Sequence, residues 1–593
     1  MLKALYDYAI QNDLILPAGF VQKPVKAYIC LSIKGAFLNV IEGATLPCPD
    51  IGSLANGPDK CNSLAEKRSV ILPETPTPKS SYFHQLLADG GQQEPMLQVC
   101  LSALETPETV RAINSALDRV KIKSSDRISF CVDGEPVLNS RAVRTWWTEF
   151  RKQFQPGGAQ SVCLITGQPT VPMATVPSIN GLQVVGGHAS GDALICFDKS
   201  AFCSYGLKKG ANAPVSEEAF AGVKAALDDL LRDAPVLAGM KFVHWYDKPL
   251  PQELDEFAAF FGGGPAEEEE TDPDEARALA DKLVSSLDSG GQAAALPNEY
   301  FILLLSGAGG RVMLRHYERG SYQVLQTALS AWNEDLMLLN GAGTGFIRPV
   351  KLKARLIRLL SRQKNDKKVF QRLDKELSGL TPAVIRAILS NSELPDAVAS
   401  RALAYIRSQM TDTDSDNKIQ STPETKRKSQ SVPDGLACQW LKVWLLRRER
   451  AKKQKESISV GYNAAHPNPA YHCGALVAVY GAIQKTAMPD VNTSVIDRYY
   501  DAAGQTPALT LGQLQRLSNH HLGKISTLRE YYESKLNQIS DSIGVTIPAT
   551  LTLEDQAYFA LGYRQTCSQL AYDAAERKAQ RKGNNSNEEL GGN

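Results

Sequence analysis

The chain has 593 residues, more than one hydrophobic core normally organises, so we expect several domains. Hydrophobic residues make up 43% of the sequence and charged residues 22%, which excludes a fibrous or wholly disordered protein. The formal net charge of +1 excludes a uniformly basic nucleic-acid binder, so any affinity for a polyanion must come from local clusters of cations.

No segment predicts export or insertion into a membrane. The first residues are acidic and aromatic, where a signal peptide needs a basic stretch followed by an apolar run. The longest apolar runs, such as residues 301–305, are far shorter than the roughly 20 residues that cross a bilayer. The eleven cysteines include no CxxC pair, which favours reduced thiols. We therefore expect a soluble protein of the cytoplasm.

Residues 1–260 predict a mixed α/β region. Short runs rich in β-branched and aromatic residues predict strands at residues 26–33, 127–132, 161–166 and 193–197. Apolar spacing of three and four predicts helices between these strands, at residues 106–120 and 140–154. Residues 261–275 combine glycine, proline and a run of acids, which predicts a surface linker or loop.

Residues 276–410 predict a hairpin followed by basic helices. Two apolar runs flank a glycine-rich turn at residues 300–315, and a helix follows at residues 321–331. Residues 411–435, rich in Ser, Thr, Asp and Lys, predict an interdomain linker. Residues 436–582 predict a helical bundle and residues 583–593 a disordered tail. The predicted class is α+β, with a mixed N-terminal region and an all-α C-terminal bundle.

No segment carries a known catalytic or metal-binding motif. The histidines form no HExxH pattern, and the adjacent His520 and His521 would point about 100° apart on a helix. The glycine-rich residues 306–311 and 341–345 lack the Gly-Lys-Ser/Thr ending of a phosphate loop and favour tight turns. We therefore expect no catalytic residue, metal or cofactor. Two alternatives are a nuclease built from scattered acids such as Asp192 and Asp198, and a scaffold that touches only protein.

Local basic charge is the strongest functional signal. Ten cations crowd residues 348–372, and a second basic stretch covers residues 442–455. Such a density repels itself unless it meets phosphate or solvent, and a solvated face is the alternative interpretation. The candidates for phosphate binding are Lys351, Arg355, Arg358, Arg362, Lys367, Arg447 and Arg448.

The loop at residues 204–216 is a third candidate. Its glycines permit close approach of the backbone to a ligand. Its Tyr205, Lys208, Lys209 and Asn212 offer stacking, phosphate and base-edge contacts. Seen alone, this pattern also fits an ordinary polar loop.

Together these segments resemble the large subunit of the type I-C CRISPR Cascade complex. The motifs that carry the resemblance are CLITG (163–167), VP (171–172), ING (179–181), SGDAL (190–194), AFCSYG (201–206), NAPVS (212–216), GRVMLR (310–315), PAYHCGAL (469–476), NTSVIDRYY (492–500) and LQRLSNHH (514–521). They cover nearly the whole chain. Two features depart from the family: His188 replaces an expected amide, and the acidic segment after Gly262 is peculiar to this chain.

The resemblance implies a non-catalytic subunit of a crRNA-guided complex. Such a subunit reads a short PAM on duplex DNA, helps to separate the strands and form the R-loop, guides the displaced strand, and recruits a helicase-nuclease for antiviral defence. The implied partners are the crRNA, the double-stranded target, the displaced single strand, the backbone and handle-binding subunits, and the helicase-nuclease, with no membrane. The resemblance also implies a small subunit made from the C-terminal region, from an internal start near Met488 or at a non-AUG codon.

The resemblance also directs attention to particular residues. A PAM site is expected in the N-terminal region, with the candidates Lys67, Arg68, Lys79, Asn180, Tyr205, Lys208, Lys209 and Asn212. Lysine and asparagine can donate into either groove, and an amide can distinguish A·T from G·C pairs. A last set contacts either the displaced strand or a neighbouring subunit, and the sequence leaves both open: Arg516, Asn519, His520 and Lys524.

Overall fold

A computed structural model describes residues 1–17, 19–154, 160–251, 255–260, 298–363, 366–411, 432–455, 457–489, 494–544 and 546–590. These residues form two compact units. The first contains residues 1–179 and 193–229, and the second contains residues 180–192 and those from 230 onward. The predicted acidic linker at residues 261–275 and most of the predicted linker at 411–435 lie outside the described residues.

The first unit contains a small mixed sheet and a separate strand pair. The strands are β1 (Phe20–Pro24), β2 (Ala27–Leu31), β3 (Phe37–Glu42), β4 (Thr45–Pro49), β5 (Glu66–Lys67), β6 (Arg127–Val132) and β7 (Glu135–Pro136). The sheet order is β3-β2-β6-β5, with β7 beside β6, while β1 pairs with β4. β2 and β6 run parallel with Cys30 opposite Cys131, and almost all their residues are buried. Continuous apolar runs are typical of such strands, because both of their faces are covered. Both predicted strands are confirmed.

The helices of the first unit include both of those predicted in this part of the sequence. They are α1 (Leu2–Gln11), α2 (Arg68–Ile71), α3 (Pro78–Gly91), α4 (Pro95–Glu105), α5 (Pro107–Arg119), α6 (Arg141–Arg151) and most of α7 (Glu217–Arg232). Proline begins α3, α4 and α5, where its missing N–H would have had no partner within the helix. In α6 the buried Trp147 donates from its indole nitrogen to the carbonyl oxygen of Gly19 at 2.8 Å, which fixes the helix against the chain before β1.

The strands predicted at residues 161–166 and 193–197 are wrong. β8 (Ser161–Val162) has two residues and pairs only with β9 (Pro169–Thr170), and residues 193–197 contain no more than a bridge at Ala193. Cys163 and Ile165 are nevertheless buried. Their side chains anchor a loop. The prediction failed because a short apolar run has the same sequence pattern whether it forms a strand or anchors a loop.

The second unit contains an antiparallel sheet that the predicted domain boundary at residue 260 would divide. Its strands, in spatial order, are β10 (Val236–Leu237), β11 (Met240–Tyr246), β12 (Glu299–Ala308) and β13 (Arg311–Ser321). The predicted hairpin is confirmed as β12 and β13. Val243 of β11 lies opposite Leu303 of β12, so the acidic segment connects two neighbouring strands of one sheet.

The helical pattern predicted from residue 350 onward is confirmed. The helices of this unit are α8 (Glu256–Phe260), α9 (Tyr322–Leu336), α10 (Leu352–Leu356), α11 (Val369–Leu377), α12 (Thr381–Leu389), α13 (Asp396–Thr411), α14 (Gly435–Ala451), α15 (Pro469–Ala487), α16 (Val495–Ala503), α17 (Pro507–Leu522), α18 (Arg529–Ile543) and α19 (Leu553–Leu590). With the sheets described above, they confirm the α+β class.

One hydrophobic core joins this sheet to the C-terminal helices. Buried apolar residues from Leu237 to Leu570 belong to it. In α14, the Trp440 indole donates to the carbonyl oxygen of Arg355 at 2.9 Å, and the Lys442 ammonium donates to that of Asp335 at 2.8 Å. Residues 436–582 therefore share their core with residues before the predicted linker. The polar composition of residues 411–435 indicates a connection at the surface, but such a connection can join two helices of one core as well as two domains.

The closest helix packing in this unit joins α15 to α19. A Cβ built on Gly474 would lie 2.0 Å from the carbonyl oxygen of Phe559, and a Cβ on Gly562 would lie 2.0 Å from that of Tyr471. Only glycine allows backbones to approach so closely. α19 continues through Leu590, past the predicted start of a disordered tail at residue 583, and residues 591–593 lie outside the described residues. Glycine and asparagine weaken a helix without always ending it.

Candidate nucleic-acid interface

The first unit exposes residues 203–212, called the Tyr205 loop below. The Tyr205 side chain is 100% exposed and its backbone φ is +57°. Lys208 and Lys209 follow it on the surface, and Lys209 has a φ of +49°. Positive φ is uncommon for residues with bulky side chains, and such conformations concentrate at functional sites. The loop therefore presents an aromatic ring and two cations to solvent.

Backbone packing holds one end of the Tyr205 loop. The Gly210 amide donates to the carbonyl oxygen of Ala174 at 3.2 Å, and a Cβ at position 210 would lie 1.7 Å from the carbonyl oxygen of Met173. The side-chain amide of the half-buried Asn212 donates to the carbonyl oxygen of Lys209 at 3.1 Å. We therefore assign Asn212 to supporting the loop instead of contacting a base edge.

The other candidates for the PAM site fall into two classes. Arg68 forms an ion pair with Asp118 at 2.7 Å and donates to a backbone carbonyl at 2.7 Å, while Lys79 donates to a backbone carbonyl at 2.8 Å. These two cations hold parts of the first unit together. Lys67 is exposed in the first unit and Asn180 is exposed in the second, so both remain accessible to a ligand.

The basic segment at residues 348–372 is partly buried. Arg355 is 4% exposed, it donates to the side-chain oxygen of Gln439, and burial lowers its pKa to about 10. Such a position contradicts a phosphate contact, because the guanidinium lies in the core. Arg358 donates to the carboxylate of Asp434 at 3.3 Å, which neutralises much of its charge. The sequence could not indicate this pair, because the two residues lie 76 positions apart.

Three candidates of the same segment reach the surface to different degrees. Lys351 is half-buried, and this burial lowers its pKa. Arg362 and Lys367 are exposed. The accessible charge of this segment is therefore smaller than its sequence indicates, and Arg362 and Lys367 are its best-placed candidates for a phosphate contact.

The candidates from α14 are engaged in ion pairs. Arg447 is 2% exposed and pairs with the equally buried Asp335 at 3.1 Å, a geometry that contradicts a phosphate contact. Desolvation lowers the pKa of Arg447, and its carboxylate partner opposes that shift. Arg448 is partly exposed and pairs with Asp396 at 3.0 Å and with Glu554 at 3.2 Å. Both arginines connect helices of the second unit.

The last candidate set lies along α17 and is called the α17 face below. Arg516, Asn519 and His520 are exposed on this helix, and Lys524 is exposed just beyond its end. Residues four apart share one side of a helix, so Arg516 and His520 are neighbours. Within the described ranges, none of the four forms an ion pair with an acid. The α17 face therefore carries positive charge that no acid among the described residues neutralises.

A family model described as CRISPR-associated protein (Cas_Csd1) matches residues 2–570. The chain belongs to this family. The match confirms the resemblance seen in the sequence motifs, and it supports a CRISPR-associated subunit of a Cascade complex. No match was found among curated proteins.

Arg348 was counted in the basic segment but not predicted as a site residue, and Arg564 was not predicted at all. Arg348 and Arg564 line a cleft of about 350 Å³ in the second unit. Arg348 is exposed, whereas Arg564 is 4% exposed. A lone arginine within the apolar periodicity of a helix gives no local signal, so only tertiary structure brings it to the cleft.

The described part of the chain contains no group of three or more His, Cys, Asp or Glu side chains placed to hold a metal ion. Asp192, one of the acids of the nuclease alternative, is fully buried and accepts the His188 amide at 3.1 Å. Asp198, the other, is exposed in the first unit. Among the described helices, none has the length and hydropathy needed to cross a membrane.

Proposed function

We propose that this chain is the large subunit of a type I-C Cascade complex, that it acts in the cytoplasm, and that it has no active site of its own. It reads the PAM on duplex DNA, helps to open the strands, guides the displaced strand and recruits the helicase-nuclease. Its further partners are the crRNA and the backbone and handle-binding subunits. Family membership supports the complex, and two surfaces support contact with nucleic acid.

The Tyr205 loop is the observation that carries this proposal. Its ring is fully exposed on a backbone with positive φ, and packing around Gly210 maintains the loop conformation. Stacking of a base on an aromatic ring contributes about 1–3 kcal/mol, which would offset the cost of holding the ring in solvent. Lys208 and Lys209 would contact the phosphates on either side of that base.

The α17 face supplies the second surface. Its cations lack acidic partners within the described part of the second unit, so they can neutralise phosphates and release the counterions condensed on a nucleic acid without first breaking an ion pair. The displaced strand and a neighbouring Cascade subunit both fit this charge. The salt dependence of binding distinguishes DNA from a protein subunit. Counterion release from DNA makes the logarithm of the affinity fall steeply with the logarithm of the salt concentration, with a slope set by the number of phosphate contacts.

A separate small subunit would need more of the chain than a start at Met488 provides. Met488 directly follows α15, whose Gly474 packs against the backbone of α19. A product that begins at Met488 would lack α15 and expose the apolar face of α19 that α15 covers. We therefore place an internal start upstream of residue 469.

The test is duplex binding by the full chain in its crRNA-containing complex. Tyr205→Ala should weaken binding to PAM-bearing duplex by about five- to 150-fold, from the stacking energy, while Tyr205→Phe retains the ring and the affinity. Lys208→Ala with Lys209→Ala should lower the salt slope by about two units. Lys34→Ala with Lys123→Ala, which removes two exposed lysines elsewhere in the first unit, is the charge-matched control.

Three outcomes would contradict the proposal. Equal affinity of Tyr205→Ala and wild type, on duplex with and without the PAM, would remove the loop from the site. DNA cleavage by the purified chain with a divalent metal ion would favour the nuclease alternative. Absence of both RNA and DNA binding would favour the protein-only scaffold.

A further inference from the structure

The cleft in the second unit has a buried cation in its wall. It opens between a glycine-rich loop at residues 340–345, the first turn of α14, and α19. Arg564 of α19 is 4% exposed, and its Nη2 donates to the carbonyl oxygen of Leu339 at a long 3.4 Å. Within the described ranges its Nε has no hydrogen-bond partner, and the guanidinium forms no ion pair.

This state of Arg564 is unusual for a buried arginine. A guanidinium offers five N–H donors and keeps its charge at any physiological pH. Removing such a group from water is costly unless an anion and hydrogen-bond acceptors replace the solvent. Arg447, in the same unit, shows the ordinary solution, because the carboxylate of Asp335 lies 3.1 Å from it. Arg564 lacks a comparable anion among the described residues.

The guanidinium of Arg564 lies beside two glycines in the wall of the cleft. A Cβ built on Gly341 would lie 3.5 Å from its Nη1, and a Cβ on Gly435 would lie 3.4 Å from its Nη2. Both glycines line the cleft. Because neither glycine carries a side chain, no side-chain atom at these two positions fills the space beside the Nη atoms of Arg564.

The other walls favour an anion with an aromatic neighbour. Arg348 is exposed at the cleft, and the Phe346 side chain is 50% exposed. The first turn of the 17-residue helix α14 also borders the cleft, where amides without partners within the helix and the positive end of the helix dipole favour negative charge. One acid, Asp434, opposes this charge, but its carboxylate already accepts from the Ala437 amide at 3.0 Å and from Arg358 at 3.3 Å.

The glycine-rich loop shapes the cleft without serving as a phosphate loop. The side-chain oxygen of Asn340 accepts the amides of Ala342 at 3.0 Å and Thr344 at 3.3 Å, so these donors are used within the turn. The loop leads directly to Phe346 and Arg348. It therefore brings these two side chains to the cleft that Arg564 also lines.

We propose that this cleft binds one phosphodiester group of a single-stranded nucleic acid. Arg564 and Arg348 contact the phosphate oxygens, and an adjacent base stacks on Phe346. The anion site follows from the buried and incompletely bonded Arg564. The choice of a nucleic acid as its source rests on the proposed function together with the exposed ring. crRNA and the displaced DNA strand share this chemistry.

Inorganic phosphate tests the anion site without any other Cascade component. The melting temperature of the full chain should rise with phosphate at constant ionic strength, because a ligand that binds the folded state stabilises it. Arg564→Gln removes the charge while keeping hydrogen-bond donors. It should raise the phosphate concentration that gives the same rise in melting temperature by about ten- to hundredfold. Arg386→Ala, which removes an exposed arginine of α12, is the control and should respond like wild type. Identical responses of Arg564→Gln and wild type would overturn the site.

Oligonucleotides test the source of the phosphate. Arg348→Ala and Phe346→Ala change surface side chains, so they should fold normally while each weakens binding of a single-stranded oligonucleotide by about fivefold or more. An oligo-dT and an oligo-U arm distinguish DNA from RNA. Phosphate protection without any effect of these variants on oligonucleotides would overturn the nucleic-acid assignment in favour of an acidic peptide. If the Tyr205 variants bind duplex like wild type, the phosphate and oligonucleotide results would still stand, because Tyr205 lies in the first unit and the cleft lies in the second.

Discussion

The buried pair of Asp335 and Arg447 offers a sharp test of which basic residues stabilise the fold. Both side chains are 1% exposed and 3.1 Å apart, and Arg450 also reaches Asp335 at 2.7 Å. Asp335→Ala would leave Arg447 as an unpaired charge in the core. Breaking a buried pair in this way costs about 3–5 kcal/mol. That is a large part of the roughly 5–15 kcal/mol by which a domain is normally stable.

Urea unfolding followed by tryptophan fluorescence would measure this loss, because Trp332 and Trp440 lie in the same core. Arg358→Ala is the comparison, since the Arg358 side chain is 29% exposed and such a pair contributes about 1 kcal/mol or less. Replacing Arg447 with Met in the Asp335→Ala background should recover part of the stability, because the unpaired charge is removed.

Two results would refute the reasoning about Arg447. A loss below about 1 kcal/mol for Asp335→Ala would show that the pair does not compensate a buried charge. A lower salt slope of DNA binding for Arg447→Met, at unchanged stability, would return Arg447 to the phosphate-binding residues.

Three further outcomes can be measured. Gly474→Ala should lower the free energy of unfolding by about 1–3 kcal/mol or more, because the added Cβ would meet a facing carbonyl oxygen at 2.0 Å. Gly512→Ala on α17 is the control, since its Cβ would meet open space and the change should be neutral or stabilising. Burial lowers the pKa of His466 from 6.5 to about 4, so as the pH falls the unfolded state binds the proton before the folded state does. The free energy of unfolding should therefore decrease as the pH drops from 6.5 to 4. Melting curves at each pH measure this decrease, and it should be smaller in His466→Gln. Arg516→Ala with Lys524→Ala should lower the salt slope of single-strand binding by about 1.4 units, and an unchanged slope would favour a subunit contact for the α17 face.

Local sequence patterns predicted most helices and the longer strands correctly, but they wrongly predicted strands in the loops at residues 161–166 and 193–197. β6 and the β12–β13 hairpin were predicted because their apolar runs are bounded by turn residues, and the side chains of β6 and β12 are indeed mostly buried. Residues 161–166 carry a similar run, but only alternate side chains enter the core and the backbone forms few strand bonds. The same composition thus served two backbone conformations, which local pattern cannot separate.

The candidate site was predicted only in part, for a related reason. Tyr205, Lys208 and Lys209 were predicted from a glycine-containing polar loop, and the structure exposes all three. The positive φ angles of Tyr205 and Lys209 and the anchoring of Gly210 against Met173 depend on segments that lie far away in the sequence.

By itself, the sequence determined the α+β class, the position of most helices, and the family, because these follow from periodicity and from ordered motifs along the chain. Tertiary structure alone decided which cations are available to a ligand. Charge density along the chain shows that Arg447 and Arg516 are basic, but not that Asp335, 112 residues away, neutralises the first. Burial and neutralisation arise between distant segments, so they emerge only when the core has formed.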